Sequence, residues 1–165
     1  MVPVNRIPQT PAQIAEFARD ERYFVTAMII ISSRCSYQPG MREVHNRAWQ
    51  VFRGWLSDIT CLGAPPTVGL VEALLLLAEN LPRDPQDVGR GRGGTPDPTH
   101  AQGFGEEVHG AENNQAWMLI GMAIRLAYSL GIDKLALKLV SEVDRTYEVE
   151  RARLAWTYCY LFDRQ

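Results

Sequence analysis

Cysteine is scarce: three in 165 residues, Cys35, Cys61 and Cys159, with no two close together. That spacing excludes a zinc ligand set, a redox pair and a disulfide scaffold, and it fits a reducing, intracellular setting. Excess charge of either sign is also lacking, because 17 Lys+Arg against 19 Asp+Glu leave a formal charge of −2. A self-sufficient nucleic-acid binder needs a basic surplus that this chain does not have. No apolar run reaches bilayer length; the longest, Tyr23–Ile31 and Val68–Ala78, are interrupted by Thr26 and Glu72. The N-terminus has two prolines and an arginine within its first ten residues and lacks the apolar stretch of a secretory signal, so no membrane partner is expected. Strand alternation, hairpin signals and fixed-period repeats are missing as well.

Helical periodicity is abundant. Thr10 is a candidate N-cap, Pro11 suits the first helical position and Gln13 can complete a capping box. From there Ile14, Phe17, Ala18, Phe24, Val25, Met28 and Ile29 recur at helical spacing, as one long helix or two short ones. Ala27–Ile31 fits a buried helical turn or a short strand, and its helical flanks favour the helix. Pro39-Gly40 ends this segment. Val44, Ala48, Val51, Phe52, Trp55, Leu56 and Ile59 then form one apolar stripe, stopped by Gly63-Ala64-Pro65-Pro66. Thr67 or a neighbour starts Val68–Leu81, which is apolar over most of its surface around Glu72 and Glu79 and is expected at the centre of the core.

Residues 82–110 have seven glycines and four prolines with almost no large apolar side chains. Such a segment cannot bury enough surface to offset its ordering entropy, so a disordered insertion is expected there, and a disordered N-terminus over 1–9. Helix resumes near Glu112, with Ala116, Trp117, Leu119, Ile120, Ala123, Ile124, Leu126, Ala127 and Leu130 on a wide apolar face. Gly131 is placed for a left-handed C-cap, with Ile132 closing it. A short helix over 133–141 and a last one from about Tyr147 follow, the latter with Glu148–Arg151 and Glu150–Arg153 as surface pairs. That helix is still apolar and amphipathic at Gln165, which reads as a C-terminal truncation. The fold class is thus all-α: an irregular helical bundle with a Gly/Pro-rich insertion.

Candidate chemistry is thin. His45, His100 and His109 have acidic neighbours at Glu43, Glu106 and Glu107, but their spacing matches no zinc-helix motif and they read as solvent-facing. Cys35 has no base nearby to make it a nucleophile, and Cys61 and Cys159 fit a helix end and a core position. Gly89-Arg90-Gly91-Arg92-Gly93-Gly94 resembles an arginine-glycine element, yet without interleaved aromatics and with Asp84, Asp87 and Asp97 nearby it reads as a linker. Asp20-Glu21 and Glu106-Glu107 read as solvated charge, and Trp49, Trp55, Trp117 and Trp156 read mainly as core. Arg125 with Asp163-Arg164 suggests a partly buried ion pair between helices. No catalytic residue and no metal ligand is assigned, a cofactor site stays unknown, and the chain reads as a non-enzyme.

Two stretches carry a resemblance. Asn113-Asn114-Gln115-Ala116-Trp117-Met118-Leu119-Ile120-Gly121-Met122-Ala123-Ile124-Arg125-Leu126-Ala127 followed by Leu130-Gly131-Ile132-Asp133, and Glu150-Arg151-Ala152-Arg153-Leu154-Ala155-Trp156-Thr157-Tyr158-Cys159-Tyr160-Leu161-Phe162-Asp163-Arg164, resemble the fungal-specific transcription factor domain. This is the middle homology region of zinc-cluster regulators. Val71–Glu79 resembles, more weakly, the leucine-rich helix that precedes the family's tryptophan helix. The resemblance implies residues 10–165 as a partial, helical regulatory domain of a nuclear transcription regulator. It also implies an N-terminal six-cysteine zinc cluster that reads DNA, which three dispersed cysteines cannot supply. Zinc and DNA are therefore expected only through a domain missing from this chain. The leading expectation is a switch element that answers a protein partner or a small-molecule effector. An effector-receptor domain is the runner-up, and a helical small-molecule-binding or scaffold domain unrelated to transcription is the alternative.

Overall fold

The computed structural model describes residues 8–35, 38–82, 104–137 and 146–164. Seven α-helices and no strand are found among them: α1 Pro11–Asp20, α2 Arg22–Cys35, α3 Met41–Leu62, α4 Val68–Glu79, α5 Phe104–Leu130, α6 Ile132–Leu137 and α7 Tyr147–Phe162. The all-α class read from the periodicity is the observed one.

Local chemistry sets the helix boundaries. Thr10 accepts from the Gln13 amide while the Gln13 side chain accepts from the Thr10 amide, a reciprocal capping box that opens α1. The long-or-split question resolves as a split at Glu21, where the chain leaves helical geometry for one residue. Ala27–Ile31 is helical, and its burial follows the helical period: Ala27 and Ile30 are buried whereas Met28 and Ile29 are exposed. Thr67 caps α4 through the Leu70 amide, and Thr146 caps α7 through the Val149 amide. Gly63 and Gly131 both adopt φ +69°, the left-handed conformation that costs a Cβ-bearing residue energy, and they terminate α3 and α5. Ile132 packs into the core directly after Gly131, as the C-cap pattern requires.

One boundary differs from expectation. Residues 104–110, assigned to the insertion, form the first two turns of α5. Residues 83–103 of the insertion, 1–7 of the N-terminus and 138–141 of the short helix lie outside the described residues.

α4 is the hub of the bundle. It packs on α2, α5 and α7, and Leu70, Val71, Ala73, Leu74 and Leu77 are fully buried. Each such leucine contributes about 1.5–3 kcal/mol by burial alone, so this one helix carries a large share of the core. Its neighbours offer small residues at helical spacing: Ala123 and Ala127 on α5, and Ala152, Ala155 and Cys159 on α7. Small side chains opposite leucines let the helix axes approach closely and fill the space between them. On the other side, Tyr23 of α2 meets Trp55 of α3 edge-on at 5.3 Å, and Trp156 of α7 meets Tyr128 of α5 edge-on at 5.1 Å.

Candidate functional site

Glu21, Glu72 and Arg151 come from the α1–α2 junction, α4 and α7, and they meet in the interior. Arg151 is 6% exposed. Its Nε donates to both Glu72 oxygens at 3.0 Å and its Nη2 donates to Glu72 Oε2 at 2.6 Å. Nη2 also donates to Glu21 Oε2 at 2.8 Å, and Nη1 donates to Glu21 Oε1. All three guanidinium nitrogens are thereby engaged. The Glu21 hydrogen bonds, opposed by desolvation and helped by Glu72, push the Arg151 pKa further up, so the group stays charged. One cation against two carboxylates leaves the cluster with a net charge of −1. Gly69 makes the approach possible, because a Cβ there would sit 2.5 Å from Glu21 Oε2.

Beside this cluster lies a cleft of about 600 Å³. Glu72, Leu75, Leu76 and Glu79 form its α4 wall, at positions i, i+3, i+4 and i+7 of one helix face. Leu154, Ala155, Tyr158 and Phe162 give the α7 wall at the same kind of spacing. Phe17, Phe24 and Met28 from α1 and α2 complete it, with Pro8 at the edge. The walls are apolar except for two carboxylates and the Tyr158 phenol, and among the described residues no Lys, Arg or His lines the cleft. Glu72 and Glu79 are two helical turns apart, about 10 Å along the axis, so they set a polarity and do not form a proton-sharing pair.

Several sequence-level assignments change. Glu21, read as solvated, belongs to the buried cluster; Arg151, read as half of a surface pair with Glu148, is the buried cation at its centre. Arg125 is exposed, and the buried ion cluster forms around Arg151, not between Arg125 and Asp163-Arg164. Arg164 instead lies over the Tyr160 ring at 4.5 Å. His45 is buried, not solvent-facing. Its Nδ1 lies 2.9 Å from the Ile30 carbonyl, which can only accept, so Nδ1 carries the proton and ties α3 to α2. Trp117 is 67% exposed while Trp49 is buried and Trp55 and Trp156 are partly buried, so Trp117 leaves the core set. Cys159 is buried as expected, and burial pushes its thiol up to about 11; Cys61 is exposed. The side chains of Cys35, His100 and His109 and the 89–94 element lie outside the described residues.

Glu21, Glu72 and Arg151 were not singled out as a group by sequence reasoning. Glu72 alone carried a signal, since a carboxylate inside an otherwise apolar helix needs a buried partner. Among the described residues no cluster of His, Cys, Asp and Glu is arranged to hold a metal ion, and no helix is long and apolar enough to cross a membrane. The chain matches no protein-family model, no curated protein and no solved structure.

Proposed function

We propose that this chain is the regulatory, non-DNA-contacting region of a fungal zinc-cluster-type transcription factor, acting in the nucleus on transcription by RNA polymerase II through effector or partner sensing, of which the cleft favours an effector. One observation carries the reading. One of the two stretches of resemblance, Glu150–Arg164, falls mostly on α7, and α7 supplies both one wall of the apolar cleft and the arginine that ties α7 to α4 and the α1–α2 junction. A ligand in the cleft would touch the same helices that this ion cluster holds together, which is the arrangement a binding-linked conformational equilibrium needs. The cleft also suits a small-molecule-binding domain unrelated to transcription, because its geometry does not depend on the resemblance.

A reporter separates the two. The chain is inserted between a heterologous DNA-binding module and an activation segment, and transcript output is compared with a fusion carrying an unrelated helical bundle of equal length. Output lowered severalfold and altered again by Leu154→Trp, which fills the cleft, is expected. Output equal to that of the unrelated bundle would overturn the transcriptional reading.

A further inference from the structure

We infer that the cleft between α4 and α7 takes a lipophilic amine: a compact apolar body with a single protonated nitrogen. The assignment gives the ligand class of the effector-sensing reading and rests on that reading for its biological meaning only.

Size selects a small molecule. A volume of about 600 Å³ lies in the middle of the range of small-ligand sites, where a few polar groups on apolar walls set orientation. Charge selects the sign. Both polar side chains that carry charge in the cleft are carboxylates, Glu72 and Glu79. Among the described residues, the buried cation nearby is Arg151, and all three of its guanidinium nitrogens already donate to Glu21 and Glu72. Arg34 donates to the Leu81 carbonyl and does not line the cleft. Glu79 is the last residue of α4, a helix with no basic residue in its final turn. Its charge therefore adds to the negative end of the helix dipole. A bound ammonium would relieve both terms, whereas a carboxylate ligand would face repulsion from Glu79 and from the net −1 of the ion cluster. Between the two carboxylates, Leu75 and Leu76 with the rings of Tyr158 and Phe162 opposite offer mainly apolar contact, which suits an aryl or branched alkyl body.

The test uses the purified full chain and three ligands of one shape: 3,3-diphenylpropylamine, 3,3-diphenylpropan-1-ol and 3,3-diphenylpropionate, titrated calorimetrically at neutral pH. The amine is expected to bind about tenfold more tightly than the alcohol, the value of one charge-assisted contact at a part-exposed site, with the acid weakest. Glu79→Gln, at an exposed position outside the ion cluster, should lower the affinity of the amine far more than that of the alcohol and so remove the preference for the amine. Leu154→Trp, also at an exposed position, should weaken all three. The inference is overturned if none of the three binds, if all three bind alike, if the amine preference survives Glu79→Gln, or if Leu154→Trp changes nothing. Binding is measured without any transcription readout, so its failure leaves the reporter result standing, and a failed reporter leaves the ligand class standing.

Discussion

Replacing Arg151 by methionine is expected to cost far more than replacing the whole ion cluster. The guanidinium is 6% exposed, and its partners Glu72 and Glu21 have side chains 12% and 22% exposed. Removing the cation leaves two carboxylates facing each other with little water, a loss of about 3–5 kcal/mol for a fully buried cluster. Partial hydration of Glu21 screens some of this, which places Arg151→Met near ~3 kcal/mol. Total stability for a domain is about 5–15 kcal/mol, and each kcal/mol shifts Tm by roughly 2–4 °C at this size, so a drop of about 6–12 °C is expected. The triple variant Glu21→Gln, Glu72→Met, Arg151→Met removes charge and counter-charge together and should lie within about 1 kcal/mol of the parent. Urea unfolding followed by circular dichroism measures both. The loss in Arg151→Met should persist at about 1 M salt, where exposed pairs are screened out. An Arg151→Met variant less than about 1 kcal/mol weaker than the parent, or a triple variant as weak as the single, would refute the placement of this cluster in the core.

Three further perturbations probe the same frame. Gly69→Ala gains helix propensity of up to about 1 kcal/mol but displaces Glu21 from Arg151, so it should be net destabilising in the parent and net stabilising in a Glu21→Ala background; equal effects in both would show that Gly69 is not there to admit Glu21. Cys159 holds its thiol proton in the native state up to about 11 against an ordinary 9.0, so the unfolded chain releases that proton first and stability falls between those two pH values, by about 2–3 kcal/mol. Burial also pushes the Tyr147 hydroxyl up, and the slope belongs to Cys159 only if it shrinks in Cys159→Ala measured on a Tyr147→Phe background. His45→Phe keeps the volume but loses the Nδ1–H bond to the Ile30 carbonyl, and a loss of about 1–2 kcal/mol in urea unfolding is expected; an unchanged midpoint would reduce His45 to packing.

Helix positions were legible because they rest on short-range rules. Thr10 with Gln13, Thr67, Gly63 and Gly131 each act within about one turn of chain, and the stripe Tyr23, Ala27, Ile30 follows from period alone. Which side of each helix met which neighbour was not legible. Trp117 sits in an apolar segment yet points to solvent, because Leu119, Ala123 and Ala127 take the face that α4 covers. His45 looked exposed because a lone histidine amid charged residues usually is, and its carbonyl partner lies 15 residues earlier on another helix.

The site was the least legible part, for a related reason. Arg151 lies 79 residues from Glu72 and 130 from Glu21, and no local pattern links positions so far apart. In sequence Arg151 has Glu148 three residues before it, which made a surface pair the economical reading. Glu72, an anion inside the most apolar helix, was the available clue, because it is unfavourable there by itself. The packing of α4 against α7 brings Arg151 to it, and Gly69 opens the space that admits Glu21 as a third member. A charge that breaks a local rule is therefore a reason to look for its partner on the helices expected to pack against it, ahead of the nearest opposite charge in sequence. The same logic bears on Glu79. It also breaks a local rule, as an anion at the negative end of α4, but its carboxylate faces the cleft, where a bound cation would supply what Arg151 supplies to Glu72.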